Sequence, residues 1–324
     1  MKSVLVTGGA GFIGSSLIDR LLLEGNKVLT IDNFNDFYDP KIKRNNIEEI
    51  RSNMKENDID NEMFMLYEGD FRDVEFLAAV FDNKIDYIVH LAGMAGVRPS
   101  IENPKLYYDV NVTGTLNILE EAKKRNIDKI VFASSSSVYG NNEKVPFSES
   151  DMVDSPISPY AATKKAGELM CHTYSYLYNM SIACLRFFTV YGPRQRPDLA
   201  INKFAKLIEA ESPIPFFGDG TTSRDYTFID DIVDGIIKSI KWTDLENSKY
   251  DVFNLGGDKT ISLKEMVETI EAAIGKKAII NKLPMQLGDV NRTCADIGHS
   301  NEILKYKPKV SFETGIQRFL EWRK

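Results

Sequence analysis

Residues 4–23, V-L-V-T-G-G-A-G-F-I-G-S-S-L-I-D-R-L-L-L, constrain the fold more than any other part of the chain. A short β-branched run leads into a glycine turn, and the turn leads into apolar residues at helical spacing, so the segment reads as strand, turn, helix. Gly9, Gly11 and Gly14 fit G-x-G-x-x-G, and Gly8 adds another glycine. Glycines so placed let the backbone turn sharply, approach a pyrophosphate and pack the helix on the sheet. A second strand is predicted at residues 28–31, with Asp32 at its end to accept hydrogen bonds from an adenosine ribose. A carboxylate there repels a 2′-phosphate, which favours NAD over NADP.

Further strands are expected at 64–67, 87–90 and 130–132, with helical stretches between them, notably 111–125. Strands alternating with helices imply an α/β fold, a doubly wound parallel (Rossmann) sheet. Ligands in such sheets sit at the carboxyl ends of strands, so G-D-F-R-D (69–73) and H-L-A-G (90–93) are expected to face the cofactor. Asp70 and Phe71 are placed beside the adenine. His90, at a strand end beside an apolar run, reads as a packed histidine rather than a catalyst.

A third strand end carries A-S-S-S-S-V-Y-G (133–140), four serines in a row. Farther on, Y-A-A-T-K (160–164) opens a helix, which puts Tyr160 and Lys164 on one face. A free tyrosine, with a pKa of about 10, is a poor base at neutral pH. A nearby ammonium and a bound nicotinamide cation both stabilise its phenolate and make it a usable acid/base.

Net charge and cysteine usage narrow the function classes. A formal charge of −7 over 324 residues argues against a general nucleic-acid binder, which needs a surplus of lysine and arginine. Cys171, Cys184 and Cys294 are scattered and odd in number, without metal-ligand spacing, as suits a reduced cytoplasmic chain. No run approaches the ~18 apolar residues of a membrane span, and no signal peptide is read at the N-terminus. The polar stretch 53–62 reads as a solvated insertion.

These motifs together resemble the extended short-chain dehydrogenase/reductase family over nearly the whole chain. The resemblance rests on T-G-G-A-G-F-I-G (7–14), Asp32, H-L-A-G, Asn111 in N-V-T-G-T, S-S-S-S-V-Y-G and Y-A-A-T-K. It implies a catalytic triad of Ser135, Tyr160 and Lys164, in which Ser135 holds the reacting oxygen, Tyr160 moves the proton and Lys164 grips the nicotinamide ribose. Ser134 is expected to turn away from the face of Ser135. The implied cofactor site comprises Gly8, Gly11, Phe12, Ile13, Gly14, Asp32, Asn33, Asp70, Phe71, Leu91, Ala92, Gly93, Asn111, Tyr160 and Lys164. The implied domains are an NAD-binding part, 1–185, completed by about 226–258, and a smaller mixed α/β nucleotide-sugar-binding part, 186–225 and 259–324.

Within the family the chain is similar to the nucleotide-sugar epimerases, dehydratases and decarboxylases. D-N-F-N-D-F-Y-D-P-K-I-K-R (32–44), A-G-V-R-P-S (95–100) and R-F-F-T-V-Y-G-P-R-Q-R-P-D-L-A (186–200) look closest to the UDP-glucuronate 4-epimerase branch. That likeness implies a UDP-sugar substrate held by Arg98, Ser136, Ser137, Thr189, Arg196, Arg224 and Asp289, with the arginines on the diphosphate and Asp289 on the ribose. It also implies a homodimer built on the helices after Asn111 and Tyr160. Thr189 stands where UDP-galactose epimerases usually carry asparagine, which leaves room for a hexuronic carboxylate. Dehydratases of this kind need an acid pair where Ser136 and Ser137 stand, and decarboxylases usually a glutamate at Ser137. Leu287 replaces the second proline of P-M-Q-P-G-D-V. The alternatives are 4-epimerisation of UDP-glucose or an N-acetylated sugar, decarboxylation, net dehydrogenation, and a non-catalytic nucleotide sensor.

Overall fold

The computed structural model describes residues 1–245, 249–257, 259–284 and 292–324. The N-terminal stretch forms β1 (Ser3–Thr7), α1 (Phe12–Leu23), β2 (Lys27–Asp32), α2 (Pro40–Glu56), β3 (Phe64–Glu68), α3 (Val74–Phe81) and β4 (Tyr87–His90). Two short helices, α4 (Val97–Glu102) and α5 (Pro104–Tyr108), precede α6 (Gly114–Lys124), β5 (Lys129–Ser135), α7 (Pro159–Tyr178) and β6 (Ser181–Phe187). The chain continues through β7 (Thr189–Tyr191), α8 (Ala200–Glu209), β8 (Pro213–Phe217), β9 (Ser223–Arg224), β10 (Tyr226–Phe228), α9 (Ile229–Trp242) and β11 (Tyr250–Leu255). It ends in β12 (Ile261–Ser262), α10 (Leu263–Ile274), β13 (Ile279–Leu283), α11 (Gly298–Leu304) and α12 (Phe312–Trp322).

Seven parallel strands form the central sheet in the order β11-β6-β5-β4-β1-β2-β3. The order reverses between β1 and β4, and the carboxyl ends there open the crevice in which ligands of such sheets bind. Alternation along β1 sends Val4 and Val6 to one face, with Leu17 and Ile18 of α1 and Ile232 and Ile236 of α9, and Leu5 to the other, with Leu77, Ile118 and Cys171. Burial on both faces is why the strands read as unbroken apolar runs.

The remaining strands pair in twos beyond the carboxyl ends: β7 with β10, β9 with β12, and β8 with β13. A small cluster of Val138, Tyr139, Phe147, Phe188 and Ala295 joins this lobe to the end of β5. Among the described residues no helix is long and apolar enough to cross a membrane, and no group of His, Cys, Asp and Glu could hold a metal ion. Cys171, Cys184 and Cys294 are free thiols and buried.

Candidate active site

The glycine turn is set by backbone contacts. Gly8 takes φ +74°, a region that favours glycine, and its N–H donates to Ile31 O at 2.8 Å. A Cβ on Gly14 would lie 2.2 Å from Gly8 O, so the first turn of α1 can pack there only without a side chain. The N-cap of α1 is Gly11, and no side chain caps the helix. Its first N–H groups, at Phe12, Ile13 and Gly14, are thus left for an anion, with the positive end of the helix dipole behind them.

Asp32 closes β2 and is 7% exposed. Its carboxylate accepts from the N–H groups of Ala10 and Phe34 at 3.1 and 2.9 Å, and Lys43 Nζ lies 4.0 Å away. Burial pushes its pKa up, against the pull of Lys43 and the two N–H groups. Asn33 donates to Asp70 at 3.0 Å, and Asp70 is gripped by Arg72 through two side-chain bonds of 3.0 and 2.7 Å. Burial alone would raise the Asp70 carboxyl, but Arg72 and Asn33 hold it below its ordinary value.

Two of the expected cofactor residues, Phe71 and Asn111, are buried behind the strand ends, whereas Gly93 is exposed. Phe71 is packed in the core, edge-on to His90 at 5.5 Å and tight against Gly114. Asn111, 3% exposed, accepts from Met94 N–H and donates to Met94 O and Thr163 Oγ1, at 2.8, 3.0 and 3.0 Å. It therefore ties the turn after β4 to α7. Gly93 is pinned between Asn111 and Lys164, since a Cβ there would lie 2.9 Å from Asn111 Oδ1 and 3.4 Å from Lys164 Nζ. Leu91 and Ala92 follow the end of β4 and lead toward the glycine turn, and Ala92 N–H donates to Thr7 Oγ1 at 3.1 Å. His90 bonds Thr7 at 2.7 Å and Thr115 at 3.0 Å, and burial drops its pKa to about 3. It is a neutral structural group, in keeping with the sequence reading.

The strand end at β5 and the start of α7 bring Ser135, Tyr160 and Lys164 together. Ser158 caps α7 by accepting from Ala161 N–H at 3.1 Å, and Pro159 opens its first turn. Ser135 Oγ accepts from Ser137 N–H at 3.1 Å and hydrogen-bonds the Tyr160 phenol. Lys164 is 6% exposed and donates to Ala133 O at 2.8 Å. Burial pulls its ammonium down to about 8. For Tyr160 burial pushes the phenol up, while the Ser135 bond and the positive charge of Arg196 pull it down. Ser134 points away into a buried network, donating to Glu168 at 2.6 Å, where Glu168 grips Arg186 through two bonds of 2.9 Å.

Beside this triad lies a cleft of about 360 Å³ lined by Arg98, Ser136, Ser137, Thr189, Arg196 and Arg224, all expected from the sequence. Two arginines have neighbours that the sequence did not announce. The Arg196 fork is bonded to Asp198 at 3.0 and 2.7 Å and lies 5.0 Å over the Phe37 ring. Arg98 lies 5.9 Å over Phe217. Arg224 donates to Ser223 O at 2.9 Å. Asp289 and Leu287 lie outside the described residues.

Sequence reasoning missed Lys43, Asp198, Ser158 and Thr293. Lys43 had a readable signal: with Asn46, Ile47, Ile50 and Met54 it forms the buried stripe of α2, and a lysine on an inward face calls for a partner. Here the partners are Asp32 and the carbonyl and side chain of Asn35, the latter two at 3.1 and 2.9 Å.

The geometry has known counterparts. The UDP-glucuronate 4-epimerase of Thermodesulfobacterium geofontis is 44% identical over 326 positions, covering 100% of this chain and 97% of that protein. The crystal structure of the UDP-glucuronic acid 4-epimerase from Bacillus cereus with UDP-glucuronic acid and NAD superposes with a TM-score of 0.90 at 35% identity, covering 99% of this chain and 98% of that one. The UDP-glucose 4-epimerase of Thermotoga maritima, solved with UDP-glucose, gives 0.87 at 29% identity with the same coverage. The glycine turn, the Ser-Tyr-Lys cluster and the arginine-lined cleft fall within residues 5–319, the span matched by the GDP-mannose 4,6-dehydratase family model, and the chain belongs to that family.

Proposed function

We propose that this chain is an NAD-dependent 4-epimerase that converts UDP-glucuronate to UDP-galacturonate through a transient 4-keto sugar. The observation that carries the reading is the cleft itself: a wall of neutral hydroxyls, Ser136, Ser137 and Thr189, shares one cavity with Arg98, Arg196 and Arg224, beside the Ser135-Tyr160-Lys164 cluster.

NAD fits the residues present, because an uncapped helix N-terminus at Phe12–Gly14 suits its pyrophosphate and the Asp32 carboxylate suits its adenosine ribose. Bound NAD supplies a reversible acceptor for the C4 hydride of the sugar. Lys164 holds the nicotinamide ribose, and the Ser135 bond and the Arg196 charge favour the Tyr160 phenolate. Tyr160 takes the C4 hydroxyl proton and later returns it, while Ser135 fixes the oxygen involved. Arg196 and Arg224 grip the diphosphate with their forked donors, so the sugar can turn about that linkage while it stays bound. The family resemblance adds Asp289 as the acid that takes the ribose hydroxyls of the uridine.

Oxidation at C4 makes a β-keto acid, which loses carbon dioxide when its carboxylate bond aligns with the ketone. Ser136, Ser137 and Thr189 hold the carboxylate out of that alignment by neutral hydrogen bonds. The enzyme works in the cytoplasm, in line with its free buried thiols. It pairs as a homodimer through α6 and α7, where Leu116, Leu169, Tyr176 and Leu177 are 40, 58, 83 and 59% exposed. Residues 1–185 with about 226–258 form the cofactor domain, and 186–225 with 259–324 the nucleotide-sugar domain.

The test is incubation of the purified protein with UDP-glucuronate, without added NAD, followed by proton NMR. UDP-galacturonate is the expected product. A second reading, epimerisation of UDP-glucose, draws on the likeness to the Thermotoga maritima enzyme. Turnover of UDP-glucose with UDP-glucuronate left intact would replace the first reading with the second.

A further inference from the structure

The loop between β7 and α8 carries two arginines that point in opposite directions. Arg196 faces the cleft. Arg194, two residues earlier, is buried at 6% exposure and turns under the cofactor half. Its Nε donates to Glu49 of α2 at 2.8 Å, and its Nη1 forms an ion pair with Asp19 of α1 at 2.8 Å. The two acids thus belong to the helix whose N-terminus frames the pyrophosphate site and to the helix that bears Lys43 beside Asp32.

The backbone of this loop is strained in the same place. Arg194 sits at φ +64°, a left-handed conformation that is strained for any side chain other than glycine. Gln195 N–H closes the turn on Gly192 O at 3.1 Å, and Asn202 holds Gln195 O at 2.7 Å. A buried ion pair is weak evidence for stability, because desolvation offsets much of its attraction. A strained residue held by an ion pair to Asp19 and a hydrogen-bonded pair to the half-exposed Glu49, next but one to a ligand-facing arginine, reads better as a device for position.

We propose that Arg194 is a positioning residue that anchors the β7–α8 loop to α1 and α2 and so presents Arg196 to the diphosphate of the substrate. The inference rests on the reading of Arg196 as a diphosphate ligand. Without the anchor the backbone at residue 194 relaxes out of the left-handed region and carries Arg196 away from the cleft.

The test is a double-mutant cycle read by calorimetric titration of UDP into the holoenzyme. Arg194→Met is expected to weaken UDP binding about tenfold, the scale of coupling between neighbouring groups. Arg194→Lys and Glu49→Gln should do so less, with KM for the UDP-sugar raised more than kcat is lowered. In an Arg196→Ala background the Arg194→Met effect should fall below about twofold. If the Met variant does not fold, the Lys and Gln variants carry the same cycle. Equal losses in both backgrounds would overturn the proposal, since Arg194 would then act by a route other than Arg196. No loss in either Arg194 variant or in Glu49→Gln would overturn it too. If Arg196→Ala alone leaves UDP binding unchanged, the diphosphate reading of Arg196 fails, and this inference with it.

Discussion

Replacing Lys164 with methionine should stabilise the cofactor-free protein at neutral pH while abolishing its activity. The ammonium is 6% exposed, donates to Ala133 O at 2.8 Å and lies 5.3 Å over the Phe132 ring. Burial lowers its pKa from the ordinary 10.5 to about 8, and that difference is worth about 3 kcal/mol against the charged folded form. Below pH 8 both the folded and the unfolded chain carry the proton, so the whole penalty is present. Between pH 8 and 10.5 the unfolded chain still holds a proton that the folded one has released, and stability rises with pH by about 1.4 kcal/mol per unit. Methionine removes the penalty at every pH but loses the bond to Ala133 O, worth about 1 kcal/mol. The net gain at pH 7 is therefore about 2 kcal/mol, or about 3 °C in Tm for a chain of 324 residues. The assay is urea unfolding of both proteins from pH 6.5 to 10.5, because the difference between the two curves cancels every other titrating group. The variant's advantage should shrink by about 3 kcal/mol across the upper part of that range. A difference curve flat from pH 7 to 10.5, or a variant less stable at pH 7, would refute the assignment of a costly buried charge.

Tyr160→Phe should lower kcat about 10²–10⁴-fold, the usual worth of a proton carrier, and leave the NAD content of the purified protein unchanged by absorbance after denaturation. Gly14→Ala should strip the protein of NAD, because the new Cβ meets the backbone at Gly8 O (2.2 Å) and Gly9 Cα (2.8 Å), which a side-chain rotation cannot relieve; retention of NAD at the parent level would count against the cradle. Ser136→Ala and Thr189→Ala should release a UDP-pentose alongside the epimer, as followed by proton NMR. Normal epimerisation by both, with no pentose nucleotide, would remove the hydroxyl wall from the account of how the carboxylate is held.

The parts of the site legible in the sequence are those whose chemistry is local. The glycine turn, Asp32 at a strand end, and Tyr160 and Lys164 one helical turn apart are all set within a few residues, and each stands where it was expected. β5 runs on through Ser134 and Ser135, beyond the expected 130–132, because its pairing with β6 continues to Phe187 and the Ser134 hydroxyl is satisfied by Glu168. The helix expected from residue 111 starts as an α-helix at Gly114, after a π-turn at Asp109–Thr113. A side chain on Gly114 would fall 2.1 Å from the Phe71 ring, a contact between distant segments that no local pattern announces. Arg194 meets Glu49 across 145 positions, and periodicity carries no record of such a pairing.

The family model that matches the chain describes a dehydratase, yet the walls of the cleft argue for a different outcome from the same first step. Oxidation at C4 needs only a hydride acceptor and the Ser135-Tyr160-Lys164 cluster. Eliminating water across C5 and C6 needs more, namely a base for the C5 proton and an acid for the leaving hydroxyl. At the positions after Ser135 this chain carries Ser136 and Ser137, and hydroxyls of ordinary acidity serve neither purpose near neutral pH. Among the described residues lining the cleft the one carboxylate is Asp198, and both its oxygens are bonded to Arg196. A 4-keto sugar in this cleft meets hydroxyls on its sugar side and arginines on its phosphate side, and among the described residues lining the cleft no second carboxylate stands beside Asp198. Elimination thus lacks its second acid/base pair, whereas epimerisation asks only that Ser136, Ser137 and Thr189 let go of the carboxylate while Arg196 and Arg224 keep the diphosphate, so that the ring can turn.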